Sequence, residues 1–392
     1  MRVPRAAGTA FALGVLAITA AVAAVEAPNG SPLTWEQWHS EPGVVDVAGP
    51  LSGGAIVVAA GRHLLRLTPG AVQSELSAAY ATTPFAPPTG SEPYIALAQG
   101  ESTGASCAFP RDTVFAIRPT TPSSVISIGP SGVVRTFVTL SGVGSLNGIT
   151  FDTTGRFGYR LLVSGSLAGE HEAVVAVDCR GVATTLTRTA PRFEGGLTVA
   201  PASFAKFGGD LIAPDEISGR VLAIDAGGNA TLIADSGVPS GGDTGVEGVA
   251  FVPPGFLAGG AAYTADRGTA GSPHPGTDTL LRLSASAFGA AGVHTGDMLL
   301  TTEASDRIVD IECGSSCTAR TLGMGAAAAH GEGHLLLVAG NPHAKAPAVP
   351  SSSAAGPSGL IIAAVGALAA GAAAVITRVM VLRRRLEAGS TR

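Results

Sequence analysis

A recurrence constrains this chain more than any other feature: one short unit returns along residues 40–340. Each instance has a polar or acidic residue, usually followed by glycine, leading into an apolar run. The instances are Asp46 in Val-Asp-Val, Glu92 in Glu-Pro-Tyr-Ile, Asn147 in Asn-Gly-Ile-Thr-Phe, Glu194 in Glu-Gly-Gly-Leu and Glu247 in Glu-Gly-Val-Ala-Phe. They are spaced 46, 55, 47 and 53 residues apart. Downstream of them come strand–turn–strand segments: His63–Leu76, Val125–Val138, Val174–Leu186 and Arg220–Ile233, the pattern of β-hairpins. Gly209–Asp225 also aligns without a gap on Gly296–Glu312, each reading as strand, polar turn, Arg and second strand. Runs such as Ala55–Ala59 and Val133–Val138 are punctuated by Gly, Pro, Asp and Asn, and no long amphipathic helix pattern interrupts them. A unit of this length holds about four strands and has two faces to bury, so it must stack on copies of itself. The expected fold is all-β, a β-propeller of about six four-stranded blades. Residues 255–340 break the spacing. There the pattern leaves room for an inserted loop at Gly268–Asp278 and a strand that closes the ring.

The two ends predict a compartment. Residues 1–24 carry Arg2 and Arg5, the apolar run Phe11–Val22 and small residues suited to cleavage, the pattern of a signal peptide. Residues 359–382 are uncharged except for Arg378 and mostly apolar, long enough for one membrane span, and Arg383, Arg384 and Arg385 follow at once. Residues 342–358 are rich in Pro, Ala and Ser, a stalk composition. The expected order is signal peptide 1–24, extracytoplasmic propeller 25–341, stalk 342–358, transmembrane helix 359–382 and basic cytoplasmic tail 383–392. This predicts a single-pass cell-membrane protein whose large domain lies outside the cytoplasm.

Charge agrees with that partition. The chain's formal charge is −5; setting aside Arg2, Arg5 and the net +4 of the last fifteen residues leaves −11 for the rest. An acidic domain without a basic stripe excludes a nucleic-acid partner, and aromatics at 5% argue against base-stacking platforms. The four cysteines suit an oxidising compartment. Cys313 and Cys317 are placed to bridge a tight turn, which leaves Cys107 and Cys179 as a second pair; sequence alone allows three connectivities.

Leu146-Asn-Gly-Ile-Thr-Phe-Asp-Thr-Thr-Gly155 and Ser218-Gly-Arg-Val-Leu-Ala-Ile-Asp-Ala-Gly-Gly-Asn229 resemble unit signatures of the calcium-dependent six-bladed propeller superfamily. That superfamily includes gluconolactonases, senescence-marker-like lactonases, paraoxonases and NHL-repeat proteins. In its lactonase group, an Asn of this Asn-Gly type and acidic residues on neighbouring inner strands hold one calcium in the central channel. Asn147 matches that Asn, and Glu194 and Glu247 open the next two units. The resemblance therefore implies calcium as a cofactor.

The candidate metal ligands are Asp46, Glu92, Asn147, Glu194 and Glu247, because inner strands starting at one height would converge their oxygens on a channel mouth, and calcium takes several oxygen ligands. His330-Gly-Glu-Gly-His334 reads as a Gly-rich turn before Leu335–Val338 rather than a zinc-binding helix. No Gly-x-Ser-x-Gly elbow precedes a helix. Two functions fit: a surface-anchored module binding an extracellular ligand or partner, or a calcium-dependent hydrolase of lactone or ester type.

Overall fold

The computed structural model describes residues 33–340, apart from 69–72, 79, 81–91, 105–106, 119–121, 243, 305–306 and 324–329. The chain divides into units Met1–His343 and Ala344–Arg392. The signal peptide, the stalk, the transmembrane helix and the basic tail fall outside the described residues. No helix among the described residues is long and apolar enough to cross a membrane.

Six four-stranded antiparallel sheets form a six-bladed β-propeller. Blade I comprises Val44–Ala48, Ile56–Ala60, His63–Leu67 and Ser74–Ser77. Blade II comprises Ile95–Leu97, Val114–Arg118, Ser124–Ile128 and Val134–Thr139. Blade III comprises Leu146–Phe151, Leu161–Leu167, His171–Val177 and Ala183–Pro191. Blade IV comprises Thr198–Val199, Leu211–Asp215, Arg220–Ile224 and Ala230–Asp235. Each runs from an inner to an outer strand, and burial follows that order. Val44–Ala48 is wholly buried, whereas Val134–Thr139 is largely exposed. Inner strands lie between two neighbouring blades and so are apolar on both faces. Outer strands are edges, where polar side chains discourage pairing with another chain.

The two-residue period of a strand stitches the ring together. On one face of blade IV, Leu211 and Leu222 pack with Leu162 and Val174 of blade III. On the other face, Ile212 and Val221 pack with Leu300 and Val309 of blade V. Tyr263 and Leu280 of blade VI meet Val44, Ile56 and Val58 of blade I.

Blades V and VI are interleaved, which explains why spacing fails beyond residue 255. Blade V is Val246–Phe251, Met298–Thr302, Ile308–Cys313 and Cys317–Gly323. Between its first two strands the chain leaves to build the middle of blade VI, Ala261–Asp266 and Thr279–Ser284, then returns through the short helix Ala285–Ala290. The N-terminal strand Glu36–Ser40 is the outer strand of blade VI and Gly331–Val338 is its inner one. Both ends of the domain thus close the ring in one blade. The expected turn at His330–His334 is corrected here: from Gly331 onward it is a strand, because its backbone pairs with Ala261–Asp266.

The cysteines form two disulfides. Cys313–Cys317 spans the end of a blade V hairpin with Cα atoms 4.1 Å apart. Cys107–Cys179, with Cα atoms 5.9 Å apart, ties an excursion of blade II to a turn of blade III.

Candidate functional site: an acidic channel end

The inner strands converge on the axis, and this accounts for the Glu-Gly signature. A Cβ on Gly196 would lie 2.6 Å from the Cα of His334. Gly333 has φ +67°, and a Cβ there would lie 2.6 Å from Asp46 Oδ1. Neither position has room for a side chain, so the preceding glutamates crowd around the same end of the channel.

Six glutamates share one electrostatic neighbourhood there: Glu92, Glu194, Glu216, Glu247, Glu303 and Glu332. Two arginines face them. Arg267 Nη1 donates to Glu92 Oε1 at 2.7 Å and Glu332 Oε2 at 2.9 Å. Arg192 bridges Glu194 and Glu216, each at 3.4 Å. The Tyr94 hydroxyl lies 2.5 Å from Glu332 Oε1 and 3.1 Å from Glu247 Oε1. Glu247 Oε1 also accepts the Gly333 amide at 2.9 Å.

Negative charge is in excess, and burial magnifies the repulsion. Burial, then Glu247, Glu332 and Glu216, push Glu303 up to about 12. Burial, Glu216 and Glu92 push Glu194 up to about 8 against the pull of Arg192. Glu247 is raised by burial and by Glu332, Glu216 and Glu194. Burial would raise Glu332 too, but Arg267, His330 and Tyr94 hold it well below the ordinary carboxyl value. The cluster must take up protons or a cation to relieve this repulsion.

A bar of hydrogen bonds lies further along the channel. Asp46 is fully buried. Its oxygens accept the amides of Val47 at 2.8 Å, Ile95 at 2.6 Å and His334 at 2.8 Å, together with His334 Nδ1 at 3.0 Å. His334 Nε2 lies 3.0 Å from the carbonyl of Ile149. Blade III stands opposite blade VI in a ring of six, so the imidazole spans the axis. Both ring nitrogens face acceptors and both must donate, which defines an imidazolium. Burial opposes that charge, but Asp46 and the carbonyl bonds outweigh it and raise the histidine. Beyond the bar, the inner strands of all six blades line a cavity of 230 Å³ whose walls include Val47, Ala96, Phe151, Val199 and Leu335.

The five ring residues therefore separate into two groups. Glu92, Glu194 and Glu247 lie in the acidic end. Asp46 is saturated by backbone amides and His334. Asn147 donates to Phe193 O at 3.1 Å and accepts the Ser164 hydroxyl at 2.8 Å, so its amide is tied into blade III and the start of blade IV. Sequence reading passed over Glu332, although Glu332-Gly333-His334-Leu335 repeats Glu247-Gly248-Val249-Ala250. Glu216 and Glu303 stand at matching positions of the gapless repeat and Tyr94 belongs to the Glu-Pro-Tyr-Ile unit, whereas nothing local marks Arg267, which follows the second strand of blade VI.

No protein-family model and no curated protein sequence matches the chain. Solved structures do show similarity. A virginiamycin B lyase from Staphylococcus aureus bound to quinupristin is 9% identical, covering 78% of this chain and 96% of its own, with a TM-score of 0.42. A calcium-binding protein, regucalcin, from Agrobacterium tumefaciens is 10% identical, covering 74% and 77%, with a TM-score of 0.39. A gluconolactonase-like protein is 14% identical, covering 60% and 71%, with a TM-score of 0.34. Likenesses this distant carry no argument about activity, and the six-bladed architecture rests on the strand pairing itself.

Proposed function

We propose that this chain is a membrane-anchored, extracytoplasmic propeller that works as a binding module and receives a cation, or the cationic group of a ligand or partner protein, at the acidic end of its channel. One observation carries the reading: six glutamates from neighbouring blades face two arginines in a largely buried space. Placement outside the cell follows from the signal-like start and the apolar stretch before Arg383–Arg385. Calcium is the first ion to test. Calcium titration by calorimetry, on the parent and on Glu194→Gln/Glu247→Gln, checks the reading. Binding that weakens at least tenfold in the double variant supports it; equal binding places the site elsewhere, and no cation binding removes the reading.

A calcium-dependent lactonase or esterase is the second reading. It is favoured by the backbone bonds that link Asn147, Glu194 and Glu247 across three successive blades: the Gly195 amide donates to the carbonyl of Asn147, and the Gly196 amide to that of Glu247. Calcium-stimulated opening of an aliphatic lactone, lost in Asn147→Ala, would favour it over pure binding.

A further inference from the structure

We propose that Glu303, His330 and Glu332 form a site for one divalent transition-metal ion of the zinc and cobalt class. The proposal rests on the acidic channel end being cation-binding, and adds residues and an ion class that calcium does not imply.

His330 Nε2 lies 3.5 Å from Glu303 Oε1 and 3.6 Å from Glu332 Oε2, and the three ligand atoms fall within 4.8 Å of one another. Bonds of 2.0–2.1 Å in a tetrahedron give ligand–ligand edges of about 3.3 Å. The trio is thus already spaced for such an ion with small adjustments. All three side chains are buried. A second observation points the same way: Glu303 Oε2 is buried without a hydrogen-bond donor among the described residues. Its polar neighbour is the Glu216 carboxyl, which is an acceptor like itself unless a proton is shared. An orphaned carboxylate oxygen is costly to bury, and a metal ion held by both oxygens of Glu303 would satisfy it.

The donor set selects the ion. Calcium takes oxygen ligands, so an imidazole adds nothing for it. One imidazole with two carboxylates suits zinc and cobalt. The ligands are also held in place. The His330 amide donates to Asp266 Oδ1 at 3.0 Å and its carbonyl accepts the Arg267 amide at 2.8 Å. Tyr94 and Arg267 fix Glu332. The Gly331 amide donates to the carbonyl of Glu303 at 2.7 Å, locking the two blades across the site. Three protein ligands leave a fourth position open. The half-buried Glu194 and Glu216 supply an acidic approach.

The full chain, stripped with chelator and given one equivalent of cobalt(II), provides the test. The expected result is one bound ion with a hyperfine-shifted, exchangeable imidazole proton in the NMR spectrum. His330→Gln should abolish that signal, and His171→Gln, at an exposed histidine of blade III, should keep it. A cobalt complex of the parent protein without a shifted imidazole proton, or no bound cobalt, overturns the proposal, and neither outcome depends on a variant folding. Because the signal reports a nitrogen ligand, calcium binding elsewhere among the glutamates would survive its loss.

Discussion

At the scale of single residues, the sequence marked polar positions, and packing decided what each one does. Asp46 and Glu247 occupy corresponding places in their units, yet Asp46 is a clasp and Glu247 belongs to the acidic end. The difference lies in the three amides and the imidazole around Asp46, which come from three blades and leave no local trace in the sequence. Asp46→Ala should therefore destabilise the domain by about 3 kcal/mol, since it leaves a buried imidazolium without its partner. In chemical denaturation this loss should appear with cation affinity unchanged in whatever fraction is folded. His334 makes a pH prediction. Its folded pKa is raised above 6.5, so its contribution is complete below pH 6.5 and disappears as pH rises through the raised value. His334→Gln should cost about 2 kcal/mol at acidic pH, the range for hydrogen bonds to charged groups, and progressively less at alkaline pH. Glu194 likewise has a raised pKa, from 4.5 to about 8. Its stabilising contribution is present below pH 4.5 and lost as pH climbs through 8. In the absence of cation, Glu194→Gln should thus be more stable than the parent above pH 8, on the order of 1–2 kcal/mol, with no advantage below pH 4.5.

Elements were the most legible level. The hairpins read from the sequence at His63–Leu76, Val125–Val138, Val174–Leu186 and Arg220–Ile233 coincide with the outer two strands of blades I to IV. Local turn chemistry sets such pairs: Asp225 Oδ1 accepts the Asn229 amide, and Asp178 Oδ1 accepts the amides of Arg180 and Val182. The gapless match of Gly209–Asp225 to Gly296–Glu312 is likewise real, since both segments are the second and third strands of a blade. His330–His334 misled because Gly331 and Gly333 read as a turn. Gly333 is present because the channel axis leaves no space for a side chain there. The disulfides differ in their expected worth. Residues 313 and 317 are four apart and residues 107 and 179 are 72 apart. Loop-closure entropy gives about 2 kcal/mol for the first bond and about 4 kcal/mol for the second. Paired Cys→Ser variants in urea denaturation should rank in that order; the reverse ranking would show that strain or residual unfolded structure dominates.

For the whole molecule, repeat spacing announced a ring but not its closure. Blade VI combines residues 36–40, 261–266, 279–284 and 331–338, and no local pattern links segments so far apart. Closure by both termini makes the ring depend on its last strand. Removing residues 331–392 deletes the inner strand of blade VI together with Glu332 and the His334 bar. The shortened protein should lose its cooperative thermal transition, whereas removal of residues 344–392 should leave it intact. Orientation also belongs to this scale. Protease added to intact cells should digest residues 30–340 and spare the Arg383–Arg385 tail, and protection of the propeller would place it in the cytoplasm.

On this reading, the acidic end of the channel exists to hold positive charge. Anomalous diffraction from crystals grown with a scattering divalent cation, manganese or cobalt, tests it most directly. A single strong peak is expected among Glu194, Glu247, Glu303 and Glu332, with their carboxyls turned toward it. A channel end without a peak, its glutamates paired by short carboxyl–carboxyl hydrogen bonds, would contradict the claim and make the cluster a proton-sharing part of the core.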